Sequence, residues 1–296
     1  MEQALTILLL AWTGLLLGSF AGAQVWRLRA AQLKEDKSSG EKVSEPEYAQ
    51  LSALLRPIAK DRSECLNCHH KLAWYDLVPV ASWVLLGGRC RYCRNTIGIM
   101  EPFTELGTMA LFVISYLAWP VPLMLPVDVA TFVVWLIVCI VMVILFVYDA
   151  KWSLLPFKIN ILFIITSALF LALAVYSGLA SDVTALSIVL SLAIVAGLYF
   201  LFSLAGWSGL GDSILGIGLA LLLAKWELAF LAVFLANLLG TLMLIPLLIS
   251  NKLQRGLHIP FGPFLITGTI IAYLWGSQII VVGMKISDYL LTALML

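Results

Sequence analysis

The sequence predicts an all-α polytopic membrane protein with about eight transmembrane helices and a small cytoplasmic module between the first two. Of its 296 residues, 62% are hydrophobic and only 12% are charged, about half the charged fraction of an average soluble domain. Apolar runs recur along the chain and are long enough, or nearly so, to cross about 30 Å of hydrocarbon. They cover residues 4–26, 103–119, 129–148, 157–177, 183–203, 212–225, 228–249 and 261–282.

The first run is predicted to be a retained helix, because it lacks the basic n-region and the small-residue cleavage site of a signal peptide. The polar stretch that follows, 27–102, carries twelve of the eighteen lysines and arginines. Basic residues concentrate on the cytoplasmic side of membrane proteins, so this stretch is predicted to be cytoplasmic. The predicted domains are a first transmembrane helix, a cytoplasmic loop domain and a transmembrane domain, at 1–26, 27–102 and 103–296.

The short loops support the same topology. With eight alternating spans, four further basic residues fall on the side of the long loop, namely Lys151, Lys158, Lys252 and Arg255. Only Lys225 and Lys285 do not, so sixteen of the eighteen basic residues share one face. This topology places both termini outside and predicts three more cytoplasmic segments, at 150–156, 204–211 and 250–258.

Two aspartates stand at the cytoplasmic ends of predicted spans. Asp149 ends the third apolar run and Asp212 begins the sixth. A carboxylate inside a membrane costs roughly 2.5–3.5 kcal/mol at the helix centre and less near the interface, so such residues usually face a protein interior or a watery cavity. Two carboxylates at one edge can share a proton and activate water. The alternatives are a helix N-cap for Asp212 and the first solvated residue after a span for Asp149.

Two glycines precede the second aspartate, in Gly209-Leu-Gly211-Asp212. Without a Cβ, a glycine lets the backbone approach another chain closely or adopt a positive φ. Small residues also let transmembrane helices pack tightly. An uncluttered backbone next to a carboxylate suits a site that binds an extended peptide.

The cytoplasmic stretch contains two Cys-x2-Cys pairs with 21 residues between them, Cys65 with Cys68 and Cys90 with Cys93. This spacing predicts a four-cysteine zinc site. Four protein ligands leave no open position on the metal, so the predicted role is structural. Disulfides are the alternative, which the reducing cytosol disfavours. The adjacent His69 and His70 are predicted to be surface residues, and Cys139 an ordinary core residue.

The rest of the loop is less specific. The stretch 34–49 is predicted to be a solvated linker or a disordered insertion. Apolar residues between the cysteine pairs, such as Trp74 and Leu85, are predicted to pack on the metal site or on the membrane surface. A net charge of +1 argues against nucleic acid as a partner. Three basic residues near the second pair suit anionic lipid headgroups; they are Arg89, Arg91 and Arg94.

These elements, in this order, resemble the type IV prepilin peptidases, the bifunctional leader peptidases and N-methyltransferases of pilus and type II secretion systems. The resemblance runs from Leu17 to Thr269. Its motifs are Leu17-Gly-Ser-Phe20 with Trp26-Arg-Leu28, Arg62-Ser-Glu-Cys-Leu-Asn-Cys68, Trp74-Tyr-Asp-Leu-Val-Pro79, Gly88-Arg-Cys-Arg-Tyr-Cys93, Glu101-Pro102 with Glu105, Asp149 with Leu155-Pro156, Gly209-Leu-Gly-Asp212 and Ile259-Pro-Phe-Gly-Pro263.

Four positions depart from the family pattern. Phe157 stands where the family usually has an aspartate after Leu-Pro, and Ile214 stands where a lysine usually follows Gly-x-Gly-Asp. Gly22 replaces a common asparagine, and Met100 opens the segment that usually reads Arg-Tyr-Pro. Both aspartates and all four cysteines are retained.

The resemblance implies a membrane aspartyl endopeptidase that removes the short basic leader of type IV prepilins or type II secretion pseudopilins, and then N-methylates the new terminus. It implies that Asp149 and Asp212 are catalytic, that S-adenosylmethionine is the methyl donor, and that the site faces the cytoplasm from the bacterial inner membrane. Glu101 and Glu105 are candidates to engage the basic leader. The alternative for both is a pair of solvated residues at a helix start, which the helix dipole favours.

Two other functions remain open at this point. One is a non-catalytic zinc membrane adaptor that binds prepilins without cutting them. The other is a presenilin-like Gly-x-Gly-Asp protease with different membrane substrates. The zinc module argues against the second, because that group generally lacks one.

Overall fold

The computed structural model describes residues 1–56, 62–249 and 260–294. The regular secondary structure of this part of the chain is helical, with no β-strand beyond isolated bridges at Glu64–Lys71 and Arg89–Thr96. Eleven α-helices are found in it. They are α1 Glu2–Ser38, α2 Glu45–Leu51, α3 Ala81–Leu85, α4 Met100–Leu117, α5 Pro126–Trp152, α6 Phe157–Tyr176, α7 Ala185–Leu192, α8 Leu198–Leu204, α9 Leu210–Leu223, α10 Trp226–Ile249 and α11 Gly262–Leu294.

The predicted all-α membrane class is confirmed. Within the described ranges, six helical segments can cross a membrane by length and composition: α1, α5, α6, the continuous α7–α8 segment, α10 and α11. Each of the eight predicted apolar runs coincides with a helix. Two of these eight helices are not among the six that are long and apolar enough to cross a membrane. They are α4, which carries Glu101 and Glu105, and α9, an apolar helix of 14 residues.

The chain divides into two compact units. Unit 1 comprises Met1–Leu117 and Cys139–Tyr148, and unit 2 comprises Ala118–Val138 and the described residues of Asp149–Leu296. Helix α5 therefore contributes to both. The predicted division at residues 26 and 102 stays a prediction.

Unit 1 is built on close packing of α1 against α4. A Cβ on Gly14 would lie 2.7 Å from the Cα of Met109, and a Cβ on Gly18 would lie 2.7 Å from the Cα of Glu105. No real Cβ tolerates such distances, so the two helices meet backbone to backbone. This is the small-xxx-small contact through which membrane helices associate.

The stretch 34–49 is largely exposed, as predicted, but it is mostly helical, so the prediction of a linker or a disordered insertion was wrong. Helix α1 continues to Ser38, and α2 folds back on it, burying Leu51 against Ala30 and Leu33. The Arg29 guanidinium donates two hydrogen bonds, each 2.9 Å, to the Glu47 carboxylate. The apolar residues that make this contact are few and dispersed among charged ones, so composition alone hides them.

Unit 2 is a helix bundle that is also packed through glycines. Phe163 of α6 lies directly over Gly218 of α9, and a Cβ on Gly268 of α11 would lie 2.5 Å from the carbonyl oxygen of Ala232 in α10. An aromatic cluster ties α5, α6 and α11 together. Its closest ring pair is Trp135 and Tyr273, whose centroids are 4.3 Å apart.

A short π-helical segment, Ala193–Gly197, connects α7 to α8. The start of α9 packs against it, since a Cβ on Gly216 would lie 3.0 Å from the Cα of Ala196. The Ser213 hydroxyl donates a 3.1 Å hydrogen bond to the carbonyl of Ala196. Wide helical turns of this kind often occur at functional sites. This one contacts Ser213, the residue directly after Asp212.

Candidate active site and metal site

Asp149 lies in the last turn of α5 and is only 4% exposed. The helix ends three residues later because Ser153 adopts a left-handed backbone with φ 52°, and its N–H donates a 2.7 Å hydrogen bond to the Asp149 carbonyl. Pro156 then caps the start of α6. Asp149 is therefore an interior residue of unit 2, and the interpretation as the first solvated residue after a span does not hold.

The start of α11 lies against Asp149. The Gly262 N–H donates a 2.9 Å hydrogen bond to Oδ2 of Asp149, and a Cβ on Gly262 would lie 2.7 Å from that oxygen. The positive end of a helix dipole also favours a carboxylate here. Sequence reasoning placed Gly262 in a family motif but gave it no role. Ile259 of that motif and the predicted loop 250–258 lie outside the described residues.

Asp212 is the third residue of α9, and the residue at the N-cap position is Gly209. The N-cap alternative for Asp212 is therefore wrong in position. Its carboxylate instead lies close to the backbone N–H of Gly209. A carboxylate at the third helical position commonly reaches back to the N-cap in this way.

The glycines before Asp212 differ in what surrounds them. A Cβ on Gly211 would lie 3.1 Å from the Cβ of Leu155, so the start of α9 packs closely on the link between α5 and α6. Gly209 has only the Gly211 nitrogen nearby, at 3.9 Å. Neither glycine has a positive φ. The fold therefore depends on the close approach to Leu155 that Gly211 allows.

These contacts bring both aspartates to one end of unit 2. Asp149 and Asp212 lie within electrostatic range of each other. Tyr199 of α8 lies within range of Asp212 as well; its buried hydroxyl has no hydrogen-bond partner within the described residues and faces Asn237. Sequence reasoning missed Tyr199, which no motif marks. Two carboxylates and a hydroxyl in a low-dielectric site can position water and exchange protons with it.

The four predicted cysteines come together in unit 1. Their Sγ atoms all lie within 4.8 Å of one another, and those of Cys65 and Cys93 are 3.8 Å apart. In a tetrahedron with 2.3 Å zinc–sulfur bonds, the sulfurs are about 3.8 Å apart, so the thiols fit zinc. All are free thiols, so the disulfide alternative does not hold. Cys139 is buried in α5, as predicted.

The two cysteine turns have the same construction. The N–H of Cys65 donates to the His70 carbonyl at 3.0 Å, and the N–H of Cys90 donates to the Asn95 carbonyl at 2.8 Å. Each turn has a left-handed residue directly after its second cysteine, with φ 55° and 58° respectively. Those residues are His69 and Arg94. Two equivalent turns facing each other supply the two ligand pairs.

Electrostatics also suit a cation at this site. Burial raises the pKa of the Cys65 thiol, whereas the backbone N–H of Asn95 lowers the pKa of Cys93, assisted by the Asn67 amide. A metal ion offsets the cost of burying thiolates. The histidines are engaged elsewhere, since His69 Nδ1 lies 3.2 Å from Glu64 and the His70 ring stacks on Tyr92.

The two glutamates of α4 differ in environment. Oε2 of Glu105, a buried residue, accepts a 2.6 Å hydrogen bond from the Val80 N–H, and the Ser19 hydroxyl lies near this carboxylate. Glu101 accepts a 3.2 Å hydrogen bond from Trp26 Nε1, but its Oε2 is buried without a partner among the described residues. Glu105 is therefore tied to the loop between the cysteine pairs, and Glu101 keeps an unused acceptor.

Comparison with known proteins places these features in context. A model of the Bacterial Peptidase A24 N-terminal domain matches residues 12–119. The prepilin leader peptidase/N-methyltransferase of Pseudomonas putida is 30% identical over 301 residues, covering 98% of this chain and 97% of that protein. Its counterpart in Pseudomonas aeruginosa is 28% identical over 90% of this chain and 89% of its own. The Bacillus subtilis protein of that name is 31% identical over 75% and 85%. No solved structure matches the chain.

Proposed function

We propose a function from the premise that this chain belongs to the prepilin leader peptidase/N-methyltransferase family and is therefore a membrane enzyme. Its peptidase reaction is aspartyl proteolysis by Asp149 and Asp212. The observation that carries this proposal is the meeting of a buried aspartate with a second aspartate at one end of unit 2.

The proposed hydrolysis follows from that arrangement. One carboxylate is ionised and accepts a proton from water, whose oxygen attacks the scissile carbonyl carbon. The other is protonated and donates to the carbonyl oxygen, and later a proton passes to the departing amine as the carbon–nitrogen bond breaks. Because the pair titrates as a unit, the acid and base roles belong to the pair rather than to either residue.

Gly262 and Gly209 act as positioning residues in this scheme. The Gly262 N–H donates to the Asp149 carboxylate, and the Gly209 N–H lies close to the carboxylate of Asp212. Donors that are already in place cost no reorganisation when charge moves between the aspartates. Gly211 lets the link after α5 lie close to α9, which holds the two carboxylate-bearing helix ends together.

The proposed substrates are type IV prepilins or type II secretion pseudopilins with short basic leaders, in the bacterial inner membrane and with the site facing the cytoplasm. The names of the relatives support a prepilin, and the apolar helices suit a bilayer. Of the two glutamates, we assign Glu101 to a basic leader residue, because its buried Oε2 lacks a partner within the described residues. Glu105 already has its donors.

Zinc in the four-cysteine site is proposed to be structural. Cys65, Cys68, Cys90 and Cys93 would hold it, and four thiolates leave no position for substrate. Methylation of the new amine would use S-adenosylmethionine, which supplies a methyl group from its sulfonium sulfur. Family membership supports this cofactor, and no residue of the described part is assigned to it.

The test uses the full chain reconstituted in liposomes, with a prepilin and S-adenosylmethionine, read by intact mass. The parent should remove the leader and add one methyl group. Asp149→Asn and Asp212→Asn should each slow cleavage by about a thousandfold, the scale of acid–base catalysis. Both should remain folded, because each replaces a partly buried charge by a group of similar size.

The matched control is Asp288→Asn, which changes an exposed aspartate of α11 and should cleave at the parent rate. Undiminished cleavage by either active-site variant would contradict the aspartyl mechanism. A folded parent that binds prepilin but never cuts it would favour the adaptor function instead. A presenilin-like function predicts cleavage of other membrane substrates in preference to prepilin.

A further inference from the structure

The loop between the two cysteine pairs exposes large apolar side chains. Trp74 is 79% and Leu85 is 84% exposed, and Leu77 and Val84 are also exposed. The turn that begins at Trp74 packs against α3, so these side chains belong to one small region. A soluble module seldom leaves such a cluster in water without a partner for it.

A hydrogen bond fixes this region to a membrane helix. Val80 precedes α3, and its N–H donates to Oε2 of the buried Glu105 at 2.6 Å. Val80 has a left-handed backbone, with φ 59° and ψ −50°, which is a rare conformation for a β-branched residue. The carboxylate therefore holds the chain in an unfavourable turn directly before α3.

The contact of Glu105 with α1 shows where it lies along that helix. Its Cα would lie 2.7 Å from a Cβ on Gly18. Gly18 lies inside the apolar run of α1, eight residues before Trp26, which is about 12 Å along the helix. Glu105 itself lies one turn beyond Glu101, whose carboxylate bonds the Trp26 indole. Helical side chains point back towards the helix start, so the Glu105 carboxylate that holds Val80 lies on the Glu101 side of its own Cα, nearer the polar end of the apolar run.

The surroundings of the apolar cluster match a lipid surface. Trp74 and Tyr75 are aromatic residues of the kind that line membrane interfaces. Lys71, Arg89 and Arg94 are exposed basic residues of the same module, which suit anionic headgroups. Apolar tips with basic residues around them are the pattern of segments that lie in an interface.

We propose that the segment Trp74–Leu85 is a membrane anchor that inserts its exposed apolar side chains into the bilayer surface. The occupant of this surface is lipid. The metal site is thereby held against the membrane at two places, by the helices that flank the loop and by this segment between its ligand pairs.

The test is photo-crosslinking of the full chain in liposomes of phosphatidylethanolamine and phosphatidylglycerol, with no other protein present. p-Benzoylphenylalanine replaces Leu85 in one variant and Val84 in a second. Leu8, an exposed residue of the apolar run of α1, is the lipid-facing control. Asn95, an exposed polar residue of the module, is the control for water. Lipid adducts are read by intact mass.

The proposal expects lipid adducts at positions 85 and 84 in yields comparable with position 8, and about tenfold above position 95, because interfacial segments bury their apolar face below the headgroups. Adding Leu85→Glu should lower the adduct yield at position 84. Lipid adducts at position 8 but not at 84 or 85 would overturn the proposal. So would equal yields at positions 85 and 95.

Discussion

Both units carry a pair of carboxylates near a helix end, and they use them differently. In unit 1, Glu105 accepts the Val80 N–H of its own unit, and the Ser19 hydroxyl lies near its carboxylate. In unit 2, Asp149 accepts the Gly262 N–H but also lies within range of Asp212. Glu105 also lies within range of a second carboxylate, that of Glu101, but its bond to Val80 fixes a turn of the chain, whereas in the mechanism we propose the pair in unit 2 exchanges a proton with water.

A glycine makes each arrangement possible. The distance from its would-be Cβ to the nearest atom is the same in both units, but the neighbouring group differs. A Cβ on Gly18 would lie 2.7 Å from a backbone atom of Glu105, and a Cβ on Gly262 would lie 2.7 Å from a carboxylate oxygen of Asp149. The first substitution would separate two helices. The second would displace the reacting group and leave the bundle in place.

The largest effect is expected from Gly262→Ala in unit 2. The new Cβ must displace the Asp149 carboxylate, and a shift of about 1 Å in a reacting group costs roughly a hundredfold in rate. The kcat for leader cleavage should fall by this amount while KM stays unchanged. Kinetics on reconstituted protein measure both constants.

Gly283→Ala is the matched control for this prediction, since a Cβ at that position of α11 meets nothing within 4 Å. It should retain the parent kcat. A stability measurement separates geometry from catalysis: Gly262→Ala should lower the melting temperature of the parent but not of Asp149→Ala, where the oxygen is missing. Equal losses in both backgrounds would contradict the contact.

A smaller effect is expected from the metal site of unit 1. Cys90→Ser removes one ligand of a closed site, so zinc content should fall and the loop should lose its fold. Cleavage should decrease only indirectly, by less than in the aspartate variants. Metal analysis and limited proteolysis of the loop measure the change, and Cys139→Ser is the control, because Cys139 lies outside the cluster.

Zinc binding at this four-cysteine site should depend on pH. Thiolates bind zinc and thiols do not, so protons compete with the metal and zinc should leave as the pH falls. Folded protein that contains no zinc at neutral pH would contradict the assignment.

The smallest effects separate the two glutamates. Glu101→Gln should raise KM for a basic leader by about tenfold, the value of one hydrogen bond to a charged group, with kcat unchanged. Glu105→Gln keeps an acceptor for the Val80 N–H and should leave KM unchanged. A raised KM for Glu105→Gln alone would contradict this assignment. It would indicate that Glu105, which the sequence did not distinguish from Glu101, recognises the leader.

Much of this architecture is predictable because its signals are local. Apolar runs predict the spans, and two Cys-x2-Cys pairs predict the thiol cluster without knowledge of the fold. Predicting that Asp149 meets Asp212 also requires the membrane topology, which the distribution of basic residues provides.

The remaining features depend on contacts that no local pattern encodes. Gly262 lies 113 residues from Asp149, and its role follows from where α11 begins in space. Glu101 and Glu105 look alike in sequence because both begin a helix, and only their donors distinguish them. The α2 contact was missed because charged residues surround the few apolar residues that are buried there.

The wide turn at Ala193–Gly197 has a consequence for helical phase. Ser191 donates a 3.0 Å hydrogen bond to α9 at the Ala220 carbonyl, and Tyr199, eight residues later, lies near Asp212 of the same helix. In an uninterrupted α-helix, eight residues would turn these side chains about 80° apart; with one residue absorbed by the π-turn, they fall within about 20° of a common line. One residue in excess of the α-helical repeat thus lets a single face of α7–α8 follow α9 from its last turn to its first.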